Sequence, residues 1–234
     1  MKLCHLFITA SACACLSLAL QARLSADAPQ GGRGGAQVIP DHMEHRFDNP
    51  EQSAKGFDDP ARDAWQMPDR VIDALGLKPG QAVADIGAGT GYFTARLAKS
   101  KAAPQVYAVD IEESMVKYLR ERAAKEGLKN IVAVQASAER TNLPASVDVV
   151  LIVDTYHHIG NRVAYFSELR TLMKPSARLA IVDFKKGTPG GPPDEFRFSS
   201  EQITAELVKA GFTLQTQHDF LPRQLFLIFQ SNTR

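Results

Sequence analysis

The sequence predicts an α/β protein in which helices cover both faces of a mostly parallel, doubly wound sheet. Three observations carry that expectation. From residue 80 onward, short apolar runs alternate with amphipathic helical stretches. One run, Val83 to Ile86, passes straight into a turn holding Gly87, Gly89 and Gly91, then into a helix from about Tyr92 to Lys99. The final run, Leu225 to Phe229, is apolar at every position, as a strand buried on both faces must be.

The chain has 234 residues, 44% hydrophobic and 23% charged, which suits one globular α/β domain with short extensions. Residues 1–26 read as targeting sequence. Lys2 gives a positive start, Leu6 to Leu20 is apolar and small, and Ala22 or Ala26 stands where a cleavage site would follow. The run is short and rich in Ser, Ala and Cys, so a cleaved secretory signal is preferred to an uncleaved anchor. Cys13 follows Ala10-Ser11-Ala12, a poor lipoprotein-type site. All three cysteines, Cys4, Cys13 and Cys15, lie in this segment, and a cleaved chain keeps no thiol for a disulfide, a nucleophile or a metal. Cleavage also removes Lys2 and Arg23 and leaves 25 basic against 26 acidic residues, a balance that does not point to nucleic acid.

Residues 27–41 form a linker by composition, with four glycines and no apolar periodicity. His42 and His45 are too few for a metal site and receive no role. The chain is polar with scattered aromatics to Pro60 and helical from about Arg62, where Val71, Ile72 and Leu75 share a face before Gly76 and Pro79-Gly80 end it. Strands follow at 82–86, 105–110, 130–135, 147–153 and 177–183. Between them lie helices at 92–99, 111–126 and 161–173. The second carries Ile111, Met115, Leu119 and Ala123 on one face and ends at Gly127. Ser199 to Gln202 reads as a capping box opening a helix that ends at Gly211. Phe212 to Leu221 alternates like a strand with one open face, and Pro222-Arg223 turns the chain into the last strand. A doubly buried strand reached by a hairpin belongs inside the sheet, not at its edge. The domains are then a signal or anchor over 1–26, an extension over 27–56 and a folded domain over 57–234.

The glycine-rich turn reads Asp85-x-Gly87-x-Gly89-x-Gly91. Glycines there admit positive φ and remove Cβ atoms from the path of a ligand, and the free N–H groups opening the next helix favour an anionic group. A dinucleotide fingerprint wants G-x-G-x-x-G, and Tyr92 occupies its third glycine position. The pattern instead resembles motif I of the class I S-adenosylmethionine (SAM)-dependent methyltransferases. So do an acid ending strand 2, Leu172-Met173-Lys174-Pro175 before strand 5, and the terminal hairpin, over roughly residues 60–230. The resemblance implies a Rossmann-like seven-stranded sheet whose antiparallel last strand lies between strands 5 and 6. It implies SAM as cofactor and a small-molecule methyl acceptor as partner.

In such enzymes Gly87, Ala88, Gly89 and Gly91 would lie against the methionine part of SAM, with Asp85 nearby favouring its ammonium. Asp110 would accept both ribose hydroxyls, a task suited to two carboxylate oxygens, with Ile111 beside it. Many relatives hold the adenine amino group with an acid where this chain has Ser137, with Ala138 beside it; a serine could accept the same bond less strongly, so the residue making that contact is open, and Glu139 is read as structural or surface. Asp154 would line the cofactor or substrate cavity. The run Asp154-Thr155-Tyr156-His157-His158-Ile159 is similar to the strand 4 end of small-molecule enzymes, including ubiquinone and menaquinone C-methyltransferases, and lacks the N/D-P-P-Y/F signature of amide or adenine methylation. Tyr156, His157 and His158 are the candidate bases, with one histidine expected to turn into the structure. Trp65, Met67 and Phe57 are candidates for covering the site, and the loop 185–197 for walling it.

Two rivals stand beside the transferase. SAM is made in the cytosol and the N-terminus reads as exported, which raises a SAM-fold binding protein without transferase activity. An NAD-dependent oxidoreductase is disfavoured by Tyr92 and by the hairpin. A membrane enters only through residues 1–26, and the oligomeric state is not legible.

Overall fold

The computed structural model describes residues 42, 43 and 46–232. The segment read as a signal, with its three cysteines, the stretch read as a linker up to residue 41, and His45 lie outside the described residues. Among those described, no helix is long and apolar enough to cross a membrane.

Seven strands form one sheet: β1 (Ala82–Ile86), β2 (Gln105–Asp110), β3 (Ile131–Gln135), β4 (Val147–Val153), β5 (Met173–Phe184), β6 (Phe212–His218) and β7 (Gln224–Ser231). The order is β3-β2-β1-β4-β5-β7-β6, parallel except for β7, which runs antiparallel to both β5 and β6. The inserted last strand is as expected. Leu227 and Phe229 face one side and Phe226 and Ile228 the other, so β7 feeds both cores.

Alternation along the strands builds those two cores. On one face Ala84, Val150, Ile152, Leu179 and Ile181 pack against α6 (Arg162–Leu169) and α7 (Ser200–Lys209) through Phe166, Leu169, Ile203 and Leu207. On the other, Val83, Val149, Leu151, Ala180 and Val182 meet α3 (Pro68–Ala74) and α4 (Tyr92–Lys99) through Val71, Phe93 and Leu97. Each such Leu, Ile or Phe contributes about 1.5–3 kcal/mol by leaving water. The capping box forms as read: Gln202 N donates to Ser199 Oγ and Ser199 N to Gln202 Oε1.

Four boundaries depart from the sequence reading. α1 (Pro50–Phe57) lies within the stretch assigned to the extension; Asn49 caps it by accepting from Gln52 N. The helix expected from Arg62 is interrupted: α2 (Asp63–Gln66) stops at Met67, which takes φ +44 ahead of Pro68. α5 (Glu113–Lys125) starts two residues later than its apolar period suggested, because Glu112 N donates to Asp110 Oδ1 at 3.0 Å and holds Glu112 extended. β5 begins at Met173, not 177. Opposite Asp148 it loops out residues 174–177, so Pro175 costs no ladder bond.

Candidate functional site

The glycine turn is pinned to β2, since Gly87 N and Ala88 N both donate to Val109 O, at 2.8 and 3.0 Å. Its glycines make room for the protein itself. At Gly87 (φ +72) a Cβ would stand 2.2 Å from Thr155 Oγ1, and at Gly91 (φ +91) 2.8 Å from Leu119 Cδ2. At Gly89 (φ +55) the Phe57 ring lies 3.3 Å away. The positive φ expected of the three glycines is present, and beyond leaving a path for a ligand Gly87 also makes room for Thr155. Ala88 is buried and packs with Ala108 and Leu119.

Asp85 is 2% exposed and lies behind the turn, where its Oδ2 accepts from Thr94 Oγ1 at 2.6 Å. The anion at the start of α4 is thus the chain's own carboxylate. Burial, with Asp110 adding to it, pushes its pKa up to about 6 against the pull of Thr94. Asp110, also buried, accepts from Gly89 N (2.8 Å) and Glu112 N (3.0 Å); burial raises its pKa and these backbone donors oppose the rise. Glu112 in turn takes a two-pronged ion pair from Arg46.

A cavity of about 720 Å³ opens at the carboxyl ends of β1, β2 and β4, where the order of the sheet reverses. Gly87, Asp110, Ile111, Ser137, Ala138 and His158 border it, as does Glu139. The late start of α5 leaves Ile111 55% exposed there. Ser137 Oγ is engaged in its own turn: it accepts from Arg140 N (3.2 Å) and pairs with Glu139 Oε2 (3.1 Å). Glu139, read as structural or surface, therefore reaches the cavity wall. Among the described residues, His42, Thr155, Asn161, Tyr165 and Glu168 complete the polar lining, which holds three carboxylates and neither Lys nor Arg.

The end of β4 separates the remaining candidates. Asp154 takes φ +52, and its carboxylate accepts from Gln66 Nε2 (2.9 Å) and Gln224 Nε2 with Arg62 3.5 Å away. Burial, and Asp183 beside it, raises its pKa to about 6. It lies off the cavity wall, and so latches the α2 segment to β4 and β7. Tyr156 is fully buried, stacks on Phe166 and donates its hydroxyl to Glu206, which Arg162 also pairs. Burial pushes its phenol pKa up, and the candidate base is corrected to a core residue. His157 is the histidine turned inward: 3% exposed, with Nδ1 2.9 and 3.0 Å from the Asp183 oxygens. His158 borders the cavity, and its Nδ1 donates to Met43 O at 2.8 Å, since a carbonyl only accepts.

The segment before α1 was not expected at the site. Met43 N donates to His157 O, Arg46 crosses to Glu112, and Phe47 sits 5.1 Å from Phe57 and 6.0 Å from His158 by ring centres. Of the covering candidates, Phe57 lies on Gly89, Trp65 packs on Phe184 (5.6 Å), and Met67 joins the core under α3. The loop 185–197 is gathered by Arg197, which donates to the carbonyls of Lys185, Thr188, Gly190 and Pro192. Asp183 was legible as the acid ending β5. Gln66 and Gln224 carried no such signal.

An inserted antiparallel β7, a D-x-G-x-G-x-G turn at the switch point and an acid closing β2 define a class I methyltransferase. Residues 77–221 match a family described as a methyltransferase domain, and the chain belongs to that family. A solved SAM-dependent methyltransferase from Aquifex aeolicus is 31% identical, with a TM-score of 0.73 over 79% of this chain and 99% of that one. Magnesium protoporphyrin IX methyltransferase from Synechocystis PCC 6803, solved with bound SAM, shares the fold at 20% identity and TM-score 0.55, over 81% of this chain and 87% of that one. The ubiquinone/menaquinone biosynthesis C-methyltransferase UbiE of Ectopseudomonas mendocina (strain ymp) is 32% identical over 147 residues, 59% of this chain and 56% of the relative. The chain spans about half the length of the curated relatives it matches.

The Thr155 contact separates two glycine costs. Gly127→Ala, at φ +68 with nothing within 4 Å of the added methyl, should lose about 1–2 kcal/mol to backbone strain. Gly87→Ala should lose about 1–3 kcal/mol more, from Thr155. Urea unfolding of both variants measures the difference, and equal losses would refute the contact.

Proposed function

We propose that this chain is a SAM-dependent methyltransferase acting on a small, apolar molecule by in-line displacement. The observation that carries the proposal is the cavity running from Gly87 past Asp110 to Ser137. Its residues fit SAM. Each oxygen of Asp110 takes one backbone N–H and keeps a lone pair for one of two adjacent hydroxyls. Ile111 offers an apolar flank for a base. Among the described residues, three carboxylates without Lys or Arg suit a cationic ligand and not a pyrophosphate, which argues against a dinucleotide.

SAM supplies a methyl group on a positively charged sulfur. What the chain adds is placement, a term of up to about 7–11 kcal/mol in favourable cases. Asp85, behind the glycine turn, and Asp154, just after β4, add negative charge near the carboxyl ends of β1 and β4. Phe57 and Phe47, held by Arg46–Glu112 and the Met43 pairing, keep water from the glycine turn. Ile86, Val109, Ile111 and Ile159 give the cavity its apolar wall for the acceptor. An acceptor that arrives protonated gives its proton to His158, the histidine that borders the cavity and whose Nδ1–H is held by Met43 O. UbiE, by its name, methylates carbon in quinone biosynthesis; an acceptor of comparable chemistry is the first class to screen. We further propose export: a positive start, a short apolar run and small residues at 22 and 26 are what a cleaved signal requires.

Calorimetric titration should show the protein binding SAM and S-adenosylhomocysteine but not NAD, with label transfer from methyl-labelled SAM separating catalyst from binder. Asp110→Ala should weaken SAM binding about ten- to a hundredfold with little change of fold, and unchanged affinity would remove the ribose contact. The pH dependence has a definite sign. A cationic ligand favours ionised Asp85 and Asp154, whose pKa values near 6 mean that the free protein holds protons the complex releases. SAM affinity should be flat above pH 7 and fall below pH 6; affinity that rises on acidification contradicts this role of the two carboxylates. A reporter active only after export, fused at residue 30, should be active, and silence would overturn the secretory proposal.

A further inference from the structure

Resting on the SAM reading, we propose that Glu168 of α6 recognises the exocyclic amino group of adenine, replacing the acid that this chain lacks after β3. In the family pattern that acid stands at position 137, where this chain has serine. The Ser137 hydroxyl cannot simply take over, because it accepts from Arg140 N at 3.2 Å and pairs with Glu139 at 3.1 Å. An amino group delivered to this end of the cavity therefore needs another acceptor.

Besides Asp110, two carboxylates border the same cavity, Glu139 and Glu168. Glu139 is exposed and its Oε2 is already matched to the Ser137 hydroxyl. Glu168 is different. Its Oε2 is buried and has no hydrogen-bond partner among the described residues, a state that costs free energy unless a donor is supplied. Asn161, Ala164, Tyr165 and Glu168 recur at helical spacing along the cavity side of α6, so Glu168 is carried on a rigid element. Buried Tyr165 borders the same side of the cavity. A carboxylate accepts from an amine and repels the carbonyl oxygen of a hypoxanthine, so the group would select adenine and reject its deaminated form.

The test compares S-adenosylhomocysteine with S-inosylhomocysteine, which carries a carbonyl in place of the amine, by calorimetry on the full chain. Wild type should prefer the adenine ligand by about ten- to a hundredfold. Glu168→Gln, whose amide both donates and accepts, should bring the two affinities within about threefold by weakening the first ligand and improving the second. Glu139→Gln should leave the wild-type preference intact. Retained binding of the inosine ligand shows that Glu168→Gln is folded. A preference that survives Glu168→Gln, or collapses in Glu139→Gln, overturns the assignment while leaving the SAM reading standing. Binding of neither ligand by wild type overturns both.

Discussion

A carboxylate buried at the end of a strand must be met by hydrogen-bond donors, and much of this site follows from how Asp85 and Asp110 are met. Asp110 draws in the N–H of Gly89 from one side and of Glu112 from the other. The first bond folds the glycine turn down onto β2. The second holds residue 112 out of helix, delays α5 and turns Ile111 outward. Asp85 takes Thr94 and so fixes where α4 begins. Neither arrangement is favourable for the charge alone, as the raised pKa values of both groups show. The cavity is the space left between these two solutions.

Around that centre the remaining polar groups act as ties between elements distant in sequence. Asp154 joins α2 to β4 and β7, Glu112 joins the segment before α1 to the head of α5, and Glu206 joins α7 to Tyr156 and Arg162. Asp154 and Glu206 each have more than one partner, so removing one leaves the others unmatched, whereas the Arg46–Glu112 pair stands on an exposed arginine and ties more weakly. The family relationship and the methyl-transfer reading rest on the same frame: a doubly wound sheet places its ligand site where the order of strands reverses.

The sheet was legible because strands covered on both faces are apolar throughout, and β7 announced its inserted position in the same way. Helix starts were less legible. The apolar period of 111–126 is real, yet the Asp110 side chain competes for the first N–H, and competition of side chain with backbone leaves no periodic trace. At the site, the turn, Asp110 and the inward histidine followed from type and position. Tyr156 misled because a tyrosine next to two histidines looks chemical, whereas its partner Glu206 lies 50 residues away. Gln66, Gln224 and Glu168 were invisible for a related reason: an amide or acid on a helix or strand end declares nothing until its neighbours are known. Phe57 and Arg46 lay in a stretch without periodicity, where only tertiary contact reveals a role.

The position of β7 also orders the building of the molecule. β5 has a free edge, and β6 has no neighbour, until residues 224–231 slide between them. Both cores wait on the same event, since Leu227 and Phe229 complete one and Phe226 and Ile228 the other. A ribosome that has released everything up to β6 has therefore made an unfinished sheet, with long-range pairing still to be won.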